Sequence, residues 1–226
     1  MVKLVKKTVK KVISKNKQYF VNIKRTVSDV DIEVSTGLKI LNSIDNKIVS
    51  VFGTHNLEPR HPYYINCEET CYRLGVRGYA IMSGGGPGIM EASNTGATRA
   101  NTVSIGFKAG LLKKEQLVNK KIFTHQLSFK YLFARRFCLA IKSDALVFYP
   151  GGYGTLNEFF EYVTLIQTGM VDPVPVICVN KEYWKGMFKW LKEKTLKENF
   201  IQQRHLDGIY FAETPQEVVK IIREKA

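Results

Sequence analysis

No acidic residue precedes Asp29, although the first 25 residues carry Lys3, Lys6, Lys7, Lys10, Lys11, Lys15, Lys17, Lys24 and Arg25. Nine units of the formal net charge of +14 therefore sit in this leader, and the rest of the chain is only mildly basic. The leader has no unbroken apolar core, as a secretory signal would, and a single arginine, where a mitochondrial presequence is Arg-rich. No stretch of the chain reaches the length of a membrane span. Cysteine is scarce, with Cys67, Cys71, Cys138 and Cys178 only. Cys67 and Cys71 lie one helical turn apart, but no further ligands stand near them, and the four histidines follow no metal spacing. The expectation is no metal, no cofactor, no membrane, and buried free thiols in a reducing cytosol. Internal repeats and low-complexity runs are missing too.

What is present is the composition of a globular protein: 226 residues, 45% hydrophobic, 24% charged, enough for one large domain. Val2, Val5, Val9, Val12 and Ile13 recur at helical spacing, so the leader reads as an amphipathic helix. Basic residues favour nucleic acid or anionic surfaces. No aromatics interleave the first eighteen residues, so the leader reads as a solvated arm, and nucleic acid is not the expected partner. Residues 26–31 are polar and read as a joint, which divides the chain into a leader (1–30) and a single domain (31–226).

Beyond the joint, strands are expected over 48–52, 79–82, 103–107, 121–124, 145–149, 174–179 and 208–211. Helices are expected over 62–74, 89–100, 129–142, 153–168, 184–196 and 215–224. Continuous apolar strands alternating with helices imply a doubly wound, Rossmann-like α/β fold, with a mainly parallel sheet and helices on both faces.

Two glycine clusters each follow a strand and open a helix. The first is Gly84-Gly85-Gly86-Pro87-Gly88; the second is Gly151-Gly152-Tyr153-Gly154-Thr155. Open parallel sheets bind ligands outside the carboxyl ends of their strands. Glycine lets backbone N–H groups approach an anion, and the helix N-terminus adds its dipole. Two such loops point to a phosphate. No Lys-Ser or Lys-Thr follows the glycines, and the spacing departs from the dinucleotide fingerprint, so bound NAD or ATP is not the first choice. Thr155, Glu158, Glu161 and Thr164 recur at intervals of three and can line one wall of a helix. Glu158 is equally readable as a capping-box partner of Thr155. Arg135 and Arg136, in a helix otherwise rich in Phe, Leu and Ala, suit an anion or a surface ion pair.

At these residues the sequence resembles the LOG ("lonely guy") phosphoribohydrolases, long labelled possible lysine decarboxylases. Residues 150–158 match the family's PGGxGTxxE motif in full, residues 83–92 (SGGGPGIMEA) resemble its first glycine loop, and Arg135-Arg136 fall at its Arg-Lys position. The likeness runs from about residue 47 to 190. It implies hydrolysis of the N-glycosidic bond of a nucleoside 5′-monophosphate, AMP-like or a cytokinin riboside monophosphate, to free base and ribose 5-phosphate. It implies Arg135 and Glu158 as the catalytic pair. Gly151, Gly152, Gly154 and Thr155 would hold phosphate, and Glu115, Arg136 and Thr164 would contribute to the nucleotide site; the reading of the loops and the helix wall adds Gly84, Gly85, Gly86 and Glu161 as substrate-binding candidates. It further implies a homodimer or larger homo-oligomer. The sequence departs from the family at Thr54-His55-Asn56 after the first strand, at Arg136 for the usual Lys, and over 109–112, which lacks Leu-Pro. These departures concern the base side of the site more than its ribose-phosphate side. Amino-acid decarboxylation is not expected, because no lysine has an evident cofactor context. The competing reading is a non-catalytic nucleotide-binding or carrier protein on the same loops.

Overall fold

The computed structural model of the protein describes residues 23–110 and 118–226. The basic run expected to form a helix lies almost wholly outside them, as does Glu115. Among the described residues the elements run α1 (Ile23–Asn42), β1 (Ile48–Phe52), α2 (Pro62–Gly75), β2 (Ala80–Ser83), α3 (Ile89–Arg99), β3 (Ser104–Ala109), β4 (His125–Phe129), α4 (Leu132–Ala140), β5 (Ala145–Phe148), α5 (Tyr153–Gln167), β6 (Val176–Val179), α6 (Lys181–Trp190), β7 (Ile209–Ala212) and α7 (Pro215–Lys225).

The seven strands form one parallel sheet in the order β4-β3-β2-β1-β5-β6-β7. β1, β2, β3, β5 and β6 are buried at every position, as strands covered on both faces must be. On one face Val49, Val51, Ile81, Val147 and Ile177 pack against α2, α3 and α7 through Cys67, Leu74, Ile89 and Val218. On the other, Phe52, Met82, Phe107, Phe148 and Cys178 pack against α1, α4, α5 and α6 through Leu41, Cys138, Phe159 and Trp184. The chain winds outward from β1 to β4, returns to β5 beside β1, and winds the other way. The topological switch point therefore lies between β1 and β5. Among the described residues no helix is long and apolar enough to cross a membrane.

Four expectations are corrected. The joint over 26–31 is helical: α1 runs through it, and Val30, Val34 and Leu41 face the core at helical spacing. The strand expected over 121–124 is a short 3-10 turn (Lys120–Ile122), and the strand is β4, four residues on. β4 is an edge strand whose residues alternate between more and less exposed positions, so His-Gln-Leu-Ser-Phe carries the period of two without a continuous apolar run. The helix expected over 129–142 consequently begins only at Leu132. The helix expected over 184–196 starts earlier, at Lys181, because Asn180 caps it by accepting from Tyr183 N–H at 2.9 Å. It passes into a π turn at Leu191–Leu196.

Candidate active site

The register of β1 against β5 pairs Phe52 with Phe148, so the loops leaving these two strands run side by side. Thr54 N–H donates to the Pro150 carbonyl at 3.1 Å, and Ile89 N–H to the Thr54 carbonyl at 3.0 Å. Three loops, after β1, β2 and β5, thus meet at the switch point. Gly88 has φ +68°, and a Cβ there would lie 2.5 Å from the Thr54 carbonyl oxygen, so only glycine permits this approach.

The first glycine loop is held from beneath. Gly85 (φ +66°) donates its N–H to Ser83 Oγ at 3.0 Å. Ser83 Oγ donates to Asn94 Oδ1, and Asn94 Nδ2 donates to Ser104 Oγ at 2.9 Å. Arg135, only 7% exposed, crosses to the same loop. Its Nε donates to the Phe107 carbonyl at 2.6 Å and its Nη2 to the Gly84 carbonyl at 3.0 Å. A Cβ on Gly84 would meet that Nη2 at 1.9 Å. Gly84, Gly85 and Gly86 are all buried.

Arg136 points elsewhere, pairing through Nε with Glu161 Oε2 on α5 as a half-buried ion pair. The Tyr162 hydroxyl donates to the Arg136 carbonyl at 3.0 Å. Burial pushes the Tyr162 hydroxyl well up from its ordinary value, and the Glu158 and Glu161 carboxylates push it further, against Arg135 and Arg136. The Arg136–Glu161 pair and the Tyr162 hydroxyl therefore join α4 to α5. Phe159 and Tyr162 fix the rotation of α5, with Phe148–Phe159 and Phe52–Tyr162 ring centroids 5.4 and 5.2 Å apart.

The second glycine loop opens α5 with Gly152 at the N-cap and no side-chain cap among the described residues. α3 likewise opens at Gly88 without one. α2, α6 and α7, by contrast, are capped by His61, Asn180 and Thr214. The two helices aimed at the switch point thus keep first-turn N–H groups with no intrahelical acceptor and no capping side chain. The position of the cap also bears on Glu158. The cap is Gly152, not Thr155, so Thr155 and Glu158 do not form a capping box. Thr155 is 4% exposed, and a Cβ on Gly151 would lie 2.1 Å from its Oγ1. Gly152 and Gly154 are exposed, and a Cβ on either would meet nothing within 4 Å. Glu158 is half-buried, one turn further along α5. Thr164 is nine residues beyond Thr155, about 13 Å along the axis, exposed, with its hydroxyl donating to the Phe160 carbonyl at 2.6 Å.

Three residues of this region were missed in the sequence. Tyr183 at the start of α6 donates its hydroxyl to the Gly151 carbonyl. Asn180, besides capping α6, donates Nδ2 to Tyr63 Oη at 2.6 Å. Lys108, 2% exposed, lays its stem against Gly85 and its Nζ 4.7 Å over the Phe123 ring. Only Lys108 carries a sequence signal, a cation inside an apolar strand. A carboxylate in the first turn of α3, Glu91, is pushed above its ordinary range by burial. Among the described residues no group of three or more His, Cys, Asp or Glu could hold a metal ion. A cavity of about 630 Å³ lined by Asp45, Lys47, Lys142, Asp144 and Asp172 opens at the opposite, amino edge of the strands, away from both glycine loops.

The profile of the family described as possible lysine decarboxylase matches residues 90–222. The cytokinin riboside 5′-monophosphate phosphoribohydrolase LOG3 of Arabidopsis thaliana is 37% identical over 89 residues, 39% of this chain and 40% of that protein. The protein of that activity from Mycobacterium marinum is 25% identical over 154 residues, 63% of this chain and 80% of that one. The matched segment thus spans about 40% of the length of the plant relatives. Among solved structures, the molybdenum cofactor binding protein of Rippkaea orientalis aligns over 80% of this chain and 98% of its own, at 18% identity and a TM-score of 0.59. DNA processing protein A of Streptococcus pneumoniae aligns over 81% and 63%, at 15% identity and a TM-score of 0.54. These two likenesses are of fold.

Proposed function

The chain belongs to the possible lysine decarboxylase family, the LOG family, and from that premise we propose that it hydrolyses the N-glycosidic bond of a nucleoside 5′-monophosphate. The products are a free base and ribose 5-phosphate, and the substrate is AMP-like or a cytokinin riboside monophosphate. The observation that carries the reading is the convergence at one switch point of two glycine-led helix N-termini without side-chain caps, with Glu158 one turn inside the second. Such N-termini favour a phosphate, and Glu158 follows on the helix that the second loop opens.

In this reading the 5′-phosphate sits on the N–H groups of the 151–155 loop, with Gly84–Gly86 closing the other side. Cleavage of the C1′–N bond leaves positive charge on the ribose ring. The Glu158 carboxylate stabilises that charge and takes a proton from the attacking water. The water oxygen bonds to C1′, and the departing base leaves with the bonding pair and gains a proton. Arg135 is held by the Phe107 and Gly84 carbonyls, so its charge is placed before substrate arrives and costs no rearrangement in the transition state. Arg136 and Glu161 tie α4, which carries Arg135, to α5, which carries Glu158.

The family resemblance also leads us to assign a homo-oligomer. Phe133, Phe137 and Phe160 stand 54%, 39% and 41% exposed on the joined helices α4 and α5, a surface that suits a second copy. The assignment to the cytosol rests on four free, buried thiols. The test of the reaction is chromatography of base released from a panel of nucleoside monophosphates. Glu158→Gln should lose on the order of a hundredfold or more in rate while keeping its melting temperature and its affinity for nucleotide. Near wild-type turnover by Glu158→Gln would remove the carboxylate from the mechanism. Nucleotide binding with no base release by the wild-type protein would make it a carrier.

A further inference from the structure

We infer that Tyr183 is a positioning residue for the phosphate loop, acting through the Gly151–Gly152 peptide; this rests on the phosphate site of the proposed function. Tyr183 donates its hydroxyl to the Gly151 carbonyl from α6, an element that the glycine loop does not belong to. In a trans peptide the N–H of the next residue points opposite to the carbonyl. Holding the Gly151 carbonyl toward Tyr183 therefore aims the Gly152 N–H the other way.

That aim needs an external hold. Gly151 and Gly152 are both glycine, so the peptide between them has no side chain to restrict its rotation. Gly152 as N-cap has no side chain to accept from the α5 N–H groups, and a Cβ on it would meet nothing within 4 Å. On one side Thr155 Oγ1 packs close against Gly151. On the other side Tyr183 supplies the polar anchor. Its own position is fixed twice over. Asn180 Oδ1 accepts from the Tyr183 N–H at 2.9 Å, and Asn180 Nδ2 donates to Tyr63 Oη at 2.6 Å. The Tyr183 ring also packs edge-on against Trp184, centroids 5.0 Å apart, and Trp184 is fully buried. Asn180 adopts φ +68°, a left-handed conformation that asparagine tolerates and that β-branched residues do not. The loop after β6 is thus built to place one hydroxyl on one carbonyl of the loop after β5.

An uncommitted peptide can flip and lose one of the donors that meet the anion. Removing the hydroxyl should therefore weaken the grip on phosphate without touching Glu158 or the bond that breaks. The experiment compares wild-type protein with Tyr183→Phe in two arms. Calorimetric titration with inorganic phosphate and with AMP reads the loop directly and does not depend on turnover. Steady-state base release from AMP and from adenosine reads its use. Tyr183→Phe should raise the Kd for both phosphate and AMP by about tenfold. It should raise the KM for AMP with kcat nearly kept, leave adenosine turnover unchanged, and keep the melting temperature. Asn180→Ala, which loosens Tyr183 without removing it, should shift phosphate affinity in the same direction by less. Equal phosphate affinity in wild type and Tyr183→Phe overturns the inference, as does a wild-type protein that binds no phosphate. A fall in kcat with unchanged affinity also overturns it. Normal binding shifts in a wild-type protein that releases no base would uphold the inference and reject the hydrolase reading.

Discussion

Gly154→Ala separates a glycine kept for the ligand from one kept for the fold. Gly154 is the second residue of α5, and a Cβ there would meet nothing within 4 Å. Its φ lies outside the left-handed region, so alanine adopts the conformation without strain. Alanine is the better helix former and loses less backbone freedom on folding. The substitution should therefore stabilise the protein by about 0.5–1 kcal/mol and raise its melting temperature by about 2 °C. Function should move the other way. If a phosphate lies against the first-turn N–H groups, the methyl occupies the space that the anion needs. Losing one charge-assisted hydrogen bond corresponds to about 1.5–3 kcal/mol, so kcat/KM for a monophosphate should fall by about tenfold to a hundredfold. The assay pairs thermal melting with chromatographic base release on the same preparation. A variant that is more stable and as active as wild type would mean that no anion approaches this turn. A destabilised variant would contradict an unstrained, open helical position at Gly154.

Two further predictions test the frame of the site. Gly84→Ala should be destabilised by about 2–3 kcal/mol, because its Cβ would displace the buried Arg135 guanidinium from the Gly84 carbonyl; a melting temperature equal to wild type would show that the arginine relocates freely. The thiols of Cys67, Cys138 and Cys178 should resist a thiol reagent in the native protein at neutral pH, since burial raises all three, Cys138 to about 11, and thiolate forms only above the raised value. Rapid labelling without unfolding would contradict their burial.

Much of the fold is legible in the sequence where one physical signal dominates. Runs such as Ile48–Phe52 and Ala145–Phe148 are apolar throughout because both sheet faces are covered, and they read as strands at once. β4 escaped because an edge strand buries one face only. α1 escaped because its core contacts, Val30, Val34 and Leu41, are widely spaced among Asp, Ser and Thr, residues that also favour turns. At the candidate site, the glycine loops, Arg135 and Glu158 stand out by motif. Their arrangement does not. Whether Thr155 caps α5 depends on where the helix begins, and that is set by Phe159 and Tyr162 packing on Phe148 and Phe52. Arg135 and Tyr183 both act on backbone carbonyls, which every residue has, so no residue pattern announces the bond. Tyr183 reaches Gly151 across 32 positions of sequence.

We propose that two glycine loops grip a 5′-phosphate so that the glycosidic bond meets Glu158. Base release from AMP and adenosine, at equal concentration and with the same enzyme, tests it most directly. Binding energy from the phosphate is used to orient the sugar, so the account predicts a kcat/KM for AMP at least about a hundredfold above that for adenosine. Equal rates on the two substrates would contradict it.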